Sequence, residues 1–504
     1  MTITLFKDGF LFTEKGTFQK GDLLIEGDHV SRAFYNGSPP VPDTLKPRNI
    51  VDLKNRYLIP GFIDAHIHLR SLALKSLRCD LGDAGSADDV LRLMSEWAGS
   101  HDDRFVVGVD WDESRWPERR YPTRDMLDSI ERERPVFARR ICGHIGVVNT
   151  PFAKLLEAEG VTPDSATGLI EEHDVWVAGR LSSPDETLIS NSFDGAIAAL
   201  HRLGITGIHD IIEPNQFDVY LKGIAESGRR LRIAGLVCTD PKKLDQYRED
   251  SKAMDRSYFN IEGIKVFLDG SIGGWTAALN EPYADSPRMD SLLVPEERLA
   301  RLLRECRDRG YMCAAHAIGD RAVRAVLRQM VDYPKNTRLF RIEHAEIVGA
   351  EELDLLRRAP VYAVMQPNFI RNWGGPGGLY EERLGRERAK LCNRFRSFLE
   401  AGVRYCFSSD GMPPGPLYGM KGATHHPTPE ERIPPGEALL RYTVAARAFQ
   451  NGRWGQGVFE EGSRADVVVL SGNPLETDTD AVSVLKTYVG GECVYDAKKP
   501  EGND

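Results

Sequence analysis

The sequence predicts an α/β fold: a (β/α)8 barrel, a β-sandwich domain built from both termini, and an inserted α+β subdomain after the first barrel strand. Three observations support this fold class. Apolar strand-like segments alternate with helical segments through the middle of the chain, which is typical of a parallel sheet with crossover helices. Both ends are rich in short strand patterns. One interval between strands is far too long for a simple βα connection.

Length and composition fit a soluble protein of more than one domain. The chain has 504 residues, beyond the size at which single cores stop growing. A net charge of −10 without a basic stripe argues against nucleic acid as a partner. No segment has the length and apolar character of a membrane span. The eight cysteines are scattered and form no CxxC pair, so we expect reduced thiols and a cytoplasmic location.

The two ends of the chain predict one shared β-domain, formed by residues 1–57 and 436–504. The first segment alternates short apolar runs with turn residues. The runs GSRADVVVLSGNP and VLKTYVGGECVYD near the other end follow the same pattern, with Gly and Asn-Pro at the turns.

Eight apolar segments between these ends are the candidate barrel strands, and eight is the number that closes such a barrel. They assign residues 58–71 and 186–435 to the barrel. The candidates are residues 58–68, 205–211, 231–238, 261–268, 311–316, 337–344, 360–366 and 403–410.

More than a hundred residues separate the first two candidate strands. This interval contains its own strand-like runs, RFVVGVDW and RPVFARRI, and its own helical segments. Residues 72–185 therefore predict an inserted subdomain at the barrel mouth.

His66 and His68 end the first candidate strand. Because strand side chains alternate, both imidazoles point to the same side. Neutral imidazole is a common zinc ligand. Taken alone, the pair does not separate a metal site from surface or packing histidines.

Four further residues strengthen the case for a metal. Lys265 lies in the fourth candidate strand, and His316, His344 and Asp410 end the fifth, sixth and eighth. Barrel enzymes place catalytic groups at the carboxyl ends of their strands. The set supplies enough ligands for one or two divalent cations, and zinc is the metal we expect.

Several motifs resemble those of a known family. LIPGFIDAHIH resembles the first-strand signature of the amidohydrolase superfamily. KVFLDGSIGGWTAAL, HAIGDRAV, RIEHAEIV, QPNF and SSDGMP resemble the amidohydrolase 3 branch, which includes N-substituted formamide deformylases. FEEGSRADVVVLSGNP resembles the return strand into that family's β-sandwich. The matches follow the family order to about residue 496, and they are more specific for the branch than for a substrate.

The resemblance implies six metal ligands, which are His66, His68, Lys265, His316, His344 and Asp410. The histidines of the first strand would bind the more buried metal, and those of the fifth and sixth strands would bind the second. Asp410 would contact the first metal and also carry the proton. Lys265 lies where many relatives carry a lysine carbamate that bridges two metals. The alternative is one metal, with an uncarboxylated Lys265 paired to a carboxylate.

Candidate substrate-binding residues lie on the predicted mouth loops. His144, in the insertion, matches a family histidine that could reach the substrate; a structural hydrogen bond is the alternative. Trp275, Phe369 and Trp373 could line an aromatic pocket, with buried packing as the alternative.

Four more polar residues are predicted to support the site indirectly. His209 and Asp210 end the second strand, where hydrogen bonding to the ligands is favoured over metal binding. Asp320 and Arg321 follow His316 and predict an ion pair that orients the loop.

The expected function is metal-dependent hydrolysis of an amide-type C–N bond, as in an N-acyl or N-formyl amine, with a small-molecule substrate and metal-activated water. One alternative is a mononuclear deaminase or cyclic-amide hydrolase. A more remote alternative is a non-catalytic scaffold of the same fold. Assembly into a homodimer is left open.

Overall fold

The computed structural model describes residues 2–35, 47–334, 340–448, 453–455 and 457–498. Its strands, numbered along the chain, are β1 (Ile3–Phe12), β2 (Phe18–Glu26), β3 (His29–Tyr35), β4 (Asn49–Asp52), β5 (Tyr57–Pro60), β6 (Phe62–Ile67), β7 (Cys79–Asp80), β8 (Val106–Trp111), β9 (Val136–Arg140), β10 (Ile145–Val148), β11 (Leu169–Glu171), β12 (Ile205–Ile212), β13 (Arg232–Val237), β14 (Phe259–Phe267), β15 (Met312–Ala317), β16 (Phe340–His344), β17 (Val361–Met365), β18 (Tyr405–Phe407), β19 (Val467–Leu470), β20 (Val484–Val489) and β21 (Glu492–Asp496).

The α-helices surround the central sheet or lie in the insertion. They are α1 (Leu69–Lys75), α2 (Ala87–Ser100), α3 (Arg124–Ile130), α4 (Thr150–Ala158), α5 (His173–Leu181), α6 (Glu186–Arg202), α7 (Phe217–Ser227), α8 (Leu244–Asp250), α9 (Glu296–Arg309), α10 (Asp320–Met330), α11 (Ala350–Arg358), α12 (Pro367–Trp373), α13 (Leu379–Leu384), α14 (Arg386–Ala389), α15 (Phe395–Glu400), α16 (Pro416–Thr424), α17 (Pro435–Arg441) and α18 (Val444–Arg447). Across the described ranges, none of these helices combines the length and apolarity that a bilayer crossing requires.

Eight parallel strands form the predicted barrel. They pair in the order β18-β17-β16-β15-β14-β13-β12-β6, and most of their residues are buried, as in a parallel sheet covered on both faces. The two outer strands meet through hydrogen bonds just past their ends: Asp410 N donates to His66 O at 2.9 Å. The barrel predicted from the strand count is confirmed.

The first predicted strand differs from the observed one. Residues 58–68 form two strands rather than one, with the break at Gly61. The first part, β5, pairs with β1 and β19 outside the barrel, and only β6 enters the barrel sheet. Glycine is required at the break because a Cβ there would lie 2.1 Å from Thr206 Oγ1 on β12. The sixth predicted strand begins at residue 337, and its first three residues lie outside the described ranges.

Strands from both ends of the chain share a second sheet. It pairs in the order β21-β20-β19-β5-β1-β2-β3, with β4 also paired to β1. The antiparallel pairing of β5 with β19 joins the N-terminal and C-terminal segments directly. The residues before the barrel and those after it therefore form one sheet.

The segment of the chain between the first two barrel strands, β6 and β12, forms a third sheet. It pairs in the order β11-β10-β9-β8-β7 and packs with helices α2–α5 around two apolar clusters of its own. The domain limits predicted from the sequence, 72–185 for this insertion among them, remain predictions.

A buried ion pair connects the terminal sheet to the barrel. Arg232, at the start of β13, donates from Nε and Nη2 to the Asp466 carboxylate at 2.5 and 2.9 Å. Gly490 N donates to the same carboxylate at 2.8 Å. Arg232 is fully buried and Asp466 is 5 % exposed, so each charge depends on the other for compensation.

We predict that Asp466→Asn destabilises the protein strongly. The substitution keeps the side-chain shape but leaves the Arg232 guanidinium buried without its counter-charge, a change that lowers the free energy of unfolding by about 3–5 kcal/mol. The measurement is the urea unfolding midpoint. Asp480→Asn is the matched control, because Asp480 pairs with Arg371 and Lys421 at the surface and should lose about 1 kcal/mol or less. Equal midpoints for the two variants would contradict the account.

Candidate metal centre

Three side chains converge at the carboxyl end of the barrel. His66 lies one residue before the end of β6, His68 follows the strand directly, and Asp410 follows β18. Asp410 Oδ1 lies 3.2 Å from His68 Nε2 and 3.6 Å from His66 Nε2. Their ligand atoms lie within 4.8 Å of one another, and no other trio of His, Cys, Asp or Glu among the described residues does so. The donor set suits a divalent cation that keeps one open position.

Asp64 holds the Asp410 loop against β6. Its carboxylate accepts hydrogen bonds from Ser409 N at 3.0 Å and from the Ser409 hydroxyl, and from His66 N at 3.3 Å. Asp410 itself has a left-handed backbone, with φ 56°. Such a conformation persists when its surroundings hold it, and here these hydrogen bonds do so.

A chain of buried polar groups runs inward from His66. His66 Nδ1 lies 2.6 Å from Glu343 Oε2, and Arg341 Nε and Nη2 donate to the same carboxylate at 2.7 and 3.0 Å. Arg341 Nη1 lies 2.8 Å from His209 Nδ1. With a proton on Nδ1, His66 donates to Glu343 and leaves Nε2 free to bind a metal. His209 is therefore connected to His66 through three successive contacts, by way of Arg341 and Glu343, consistent with a supporting position.

His316 and His344 lie beside the converging trio. Their ring centroids are 4.5 Å apart, and the His344 ring is 5.0 Å from that of His66. His344 Nδ1 donates to Gln366 Oε1 at 2.8 Å, which leaves Nε2 as the potential ligand atom. His316 Nε2 donates to Gly270 O at 3.0 Å, which leaves Nδ1. Each of the two histidines therefore keeps one nitrogen that could bind a metal.

Lys265 is buried among these histidines. Its Nζ lies 3.3 Å from His66 Nε2 and 4.6 Å from the centre of the Phe267 ring. Burial lowers the pKa of Lys265, although the carboxylates of Glu343 and Asp410 oppose the shift. No carboxylate of the described residues forms an ion pair with it within 4.0 Å, so neither Asp269 nor Asp410 pairs with it directly.

Burial controls the protonation of the ligand histidines. It lowers the pKa of His66, His316 and His344 well below the usual value, and the nearby Lys265 charge lowers each further. The three imidazoles are therefore neutral near pH 7, which is the form that binds metals.

His144, in the insertion, also lies at the barrel mouth, but its protonation state differs from that of the three buried histidines. Its ring centroid lies 5.9 Å from that of His316, and its Nδ1 lies 2.8 Å from Glu172 Oε2. Burial alone lowers the pKa of His144, but Glu172 more than offsets this, and the pKa rises to about 9. His144 is therefore a cation near pH 7, held by a structural hydrogen bond and facing the site.

The three predicted aromatic residues occupy different positions. Phe369 stacks on the His344 ring at 6.1 Å, and Trp373 packs on Phe369 at 5.0 Å and donates to Asp112 at 3.0 Å. Both are buried. Trp275 is partly exposed, with the Arg383 guanidinium 3.7 Å above its ring. Phe369 adjoins a candidate ligand, whereas Trp275 is the one open to solvent.

Three predicted supporting residues do not bond to any ligand side chain. Asp210 accepts hydrogen bonds from Leu69 N at 2.7 Å and from the Tyr220 hydroxyl, so it holds the start of α1. Asp320 accepts from the backbone N of Arg321 instead of pairing with its guanidinium. The predicted ion pair does not form because adjacent helical side chains point in different directions, and Arg321 extends into solvent.

Sequence reasoning missed Glu343, Arg341, Asp64, Gln366 and Glu172. The sequence pattern could have indicated two of them. Arg341 and Glu343 alternate with apolar residues in a barrel strand, so both charged side chains lie on the same face of the strand, inside the buried barrel. The other three act through long-range contacts that the local sequence does not mark.

A parallel barrel with histidines and an aspartate at one mouth defines the class of metal-dependent barrel hydrolases. The amidohydrolase family model matches residues 49–495. The chain therefore belongs to the amidohydrolase family, and its assignment as a hydrolase of this family, with a site suited to a divalent metal, is confirmed.

Relatives and solved structures match over nearly the whole chain. The Bacillus subtilis protein YtcJ, named as an amidohydrolase, is 28 % identical, with 98 % of this chain and 99 % of that protein covered. The N-substituted formamide deformylase of Arthrobacter pascens is 25 % identical, with 89 % and 90 % covered. A crystal structure of a metal-dependent hydrolase from Pyrococcus horikoshii is 26 % identical, with a TM-score of 0.75 and 95 % and 99 % covered.

We predict that Glu343→Gln weakens metal binding by about 10–100-fold, because the amide no longer holds the His66 imidazole as a carboxylate does. Competition with a chelator of known affinity measures the change. Glu352→Gln is the control: Glu352 is equally buried and also pairs with an arginine, Arg324, but lies on the outer helix α11. Unchanged metal affinity in Glu343→Gln would remove this residue from the support of the site.

Proposed function

We propose that the protein hydrolyses the C–N bond of N-acyl or N-formyl amines in a metal-dependent reaction. The observation that carries the proposal is the convergence of His66, His68 and Asp410 at the barrel mouth in a chain of the amidohydrolase family. The formamide deformylase relative supports the choice of an amide-type bond over other hydrolysable bonds.

The residues present suit a divalent metal, with zinc as the expected ion. His66, His68 and Asp410 would hold it, and His316 and His344 offer further nitrogen donors. When bound, such a cation activates water and polarises a carbonyl group.

Asp410 is the group that handles the proton. Burial raises the pKa of Asp410, but the surrounding His66, His68 and Lys265 side chains outweigh burial, and the net effect lowers the pKa. Its carboxylate is therefore ionised near pH 7 and can accept the proton of the attacking water. The same carboxylate then delivers that proton to the leaving nitrogen, which departs as a neutral amine.

His144 supplies a positive charge at the mouth. Because its pKa is about 9, the protonated imidazole can donate to the carbonyl oxygen of the substrate as negative charge develops there. Trp275, Phe369 and Trp373 would line the acyl or amine pocket. A cytoplasmic location and a possible homodimer remain predictions from the sequence.

Lys265 is proposed to carry a carbamate that bridges two metals. Four neutral histidines and the single charge of Asp410 would leave two divalent cations poorly compensated. An ammonium at this position would add to the repulsion. A lowered pKa favours the neutral amine, and the neutral amine is the form that reacts with CO2 to give an anionic carbamate, with release of one proton to solvent.

We predict that metal-loaded Asp410→Asn loses at least about a hundredfold in kcat, since the amide cannot carry the proton. The measurement is release of free amine and carboxylate from a panel of N-formyl and N-acetyl amines. Asp320→Asn, a change in an aspartate that does not contact the ligands, should stay within about twofold of the wild-type kcat. Wild-type activity should also vanish on chelation and return with Zn2+.

Two results would contradict the proposal. Full activity in metal-free protein would exclude metal-dependent hydrolysis. Release of ammonia without a new carboxylate would favour the deaminase alternative.

A further inference from the structure

Three arginines gather where the inserted sheet meets the first barrel helix. Arg70 lies in α1, Arg78 in the turn before β7, and Arg139 in β9. The strands β7, β8 and β9 pair side by side, with Cys79 opposite Gly108 and Gly108 opposite Ala138. In this register Arg139 lies two strands across from Asp80, which is two residues beyond Arg78, so the Cα atoms of Arg78 and Arg139 are roughly 12 Å apart.

Two of these guanidinium groups have no acceptor. Among the described residues, Arg78 and Arg139 form no side-chain hydrogen bond and no ion pair, and the Nε atoms of all three arginines are buried without a partner. Arg78 is only 6 % exposed. Arginine is rarely buried so deeply without a partner. The buried, unpaired Arg78 side chain therefore indicates that an anion binds here.

The nearby carboxylates do not supply that anion. Lys75 already engages Asp80 at 3.1 Å and Asp110 at 2.9 Å. Glu213 is half exposed and lies 3.7 Å from Arg70. The local balance is therefore positive: four cations, counting Lys75, face three carboxylates.

Arg78 remains charged in this setting. Burial, followed by the charges of Arg139 and Arg70, lowers its pKa to about 9, while Glu213 and Asp110 oppose the shift. The group is still protonated near pH 7. Because Nε has no partner and only 6 % of the residue is exposed, a small oxyanion placed between the arginines would be favoured.

One arginine of the cluster, Arg70, lines a cleft beside the metal centre. A cleft beside the barrel mouth has His68 and Arg70 on its wall, together with Glu213 and Tyr220. His68 is a member of the converging trio, and Arg70 follows it by two residues. A ligand that reaches the arginines from the metal centre would pass along this wall.

Building on the proposed hydrolysis, we propose that Arg70, Arg78 and Arg139 form a subsite for a carboxylate carried by the amine part of the substrate. The substrate class is then an N-acyl amine that carries a free carboxylate, such as an N-acyl amino acid. The planar guanidinium matches a carboxylate in two parallel hydrogen bonds, which explains the use of arginine rather than lysine at this position.

Binding to the metal-loaded enzyme tests the subsite. Every protein in this comparison, including the otherwise wild-type protein, also carries Asp410→Asn, so that the ligands are not hydrolysed during the titration. N-acetylalanine and N-acetylphenylalanine are each compared with their carboxamides by calorimetric titration. We expect the wild type to bind each carboxylate at least about tenfold more tightly than its amide, as charged hydrogen bonds imply. Arg78→Met should lose this preference while amide binding stays within about twofold. Arg298→Met, an exposed arginine of α9, is the control and should behave as the wild type.

A second variant separates loss of the site from loss of the fold. Arg139 is less buried than Arg78, so Arg139→Met should fold and also reduce the preference. Equal binding of carboxylate and amide by the wild type, or binding of neither, overturns the subsite. A preference that survives both substitutions also overturns it, since the carboxylate would then be held by the metal.

Two further results distinguish the carboxylate subsite from the proposed hydrolysis. A preference for the carboxylate without release of amine would support the subsite and contradict the proposed hydrolysis. Release of amine from both compounds without such a preference would support the hydrolysis and contradict the subsite. Inorganic phosphate is titrated as well. If it binds more tightly than the carboxylates and depends on Arg78, the oxyanion is a phosphate and the carboxylate assignment is wrong.

Discussion

The closure of the barrel between its first and last strands is the constraint on which the site depends. Asp410 N donates to His66 O at 2.9 Å, and Ser409 donates to the Asp64 carboxylate. These bonds join the two edges of the barrel sheet and, at the same positions, bring Asp410 to the histidines of β6. Fold and site therefore share one set of contacts: a change that opens the barrel at this point also separates the ligands.

Buried ion pairs near this closure orient the ligand side chains and hold the domains together. Inside the barrel, Glu343 is shared between His66 and Arg341, so its negative charge compensates the guanidinium and orients the imidazole at once. Outside it, Arg232 and Asp466 attach the terminal sheet to β13 by a similar pair. Each pair is costly to break because the remaining charge would stay buried. Arg78 and Arg139 differ in that neither guanidinium group has such a partner among the described residues, and this contrast is what points to a ligand.

Local pattern predicted much of the fold and most of the converging residues. Apolar runs between helical segments indicated the barrel, and His66, His68 and Asp410 stood at the ends of such runs. The break at Gly61 was missed because the apolar run continues through it; only the close approach of Thr206 shows why the strand must divide. The support from Asp64 and Gln366 depends on contacts with residues far along the chain, which no window of sequence contains. The Asp320–Arg321 pair failed for the opposite reason, since neighbours in sequence are not neighbours on a helix surface.

The central claim is that a divalent metal is held by His66, His68 and Asp410. Its most direct test is an X-ray structure of the metal-replete, active protein with anomalous data collected just above the absorption edge of zinc. The account predicts an anomalous peak bound by His66 Nε2, His68 Nε2 and Asp410 Oδ1, and a second peak beside His316 and His344 with density extending from Lys265 Nζ. A single peak with a bare Lys265 amine would contradict the bridge. An active protein without a peak at the trio would contradict the claim itself.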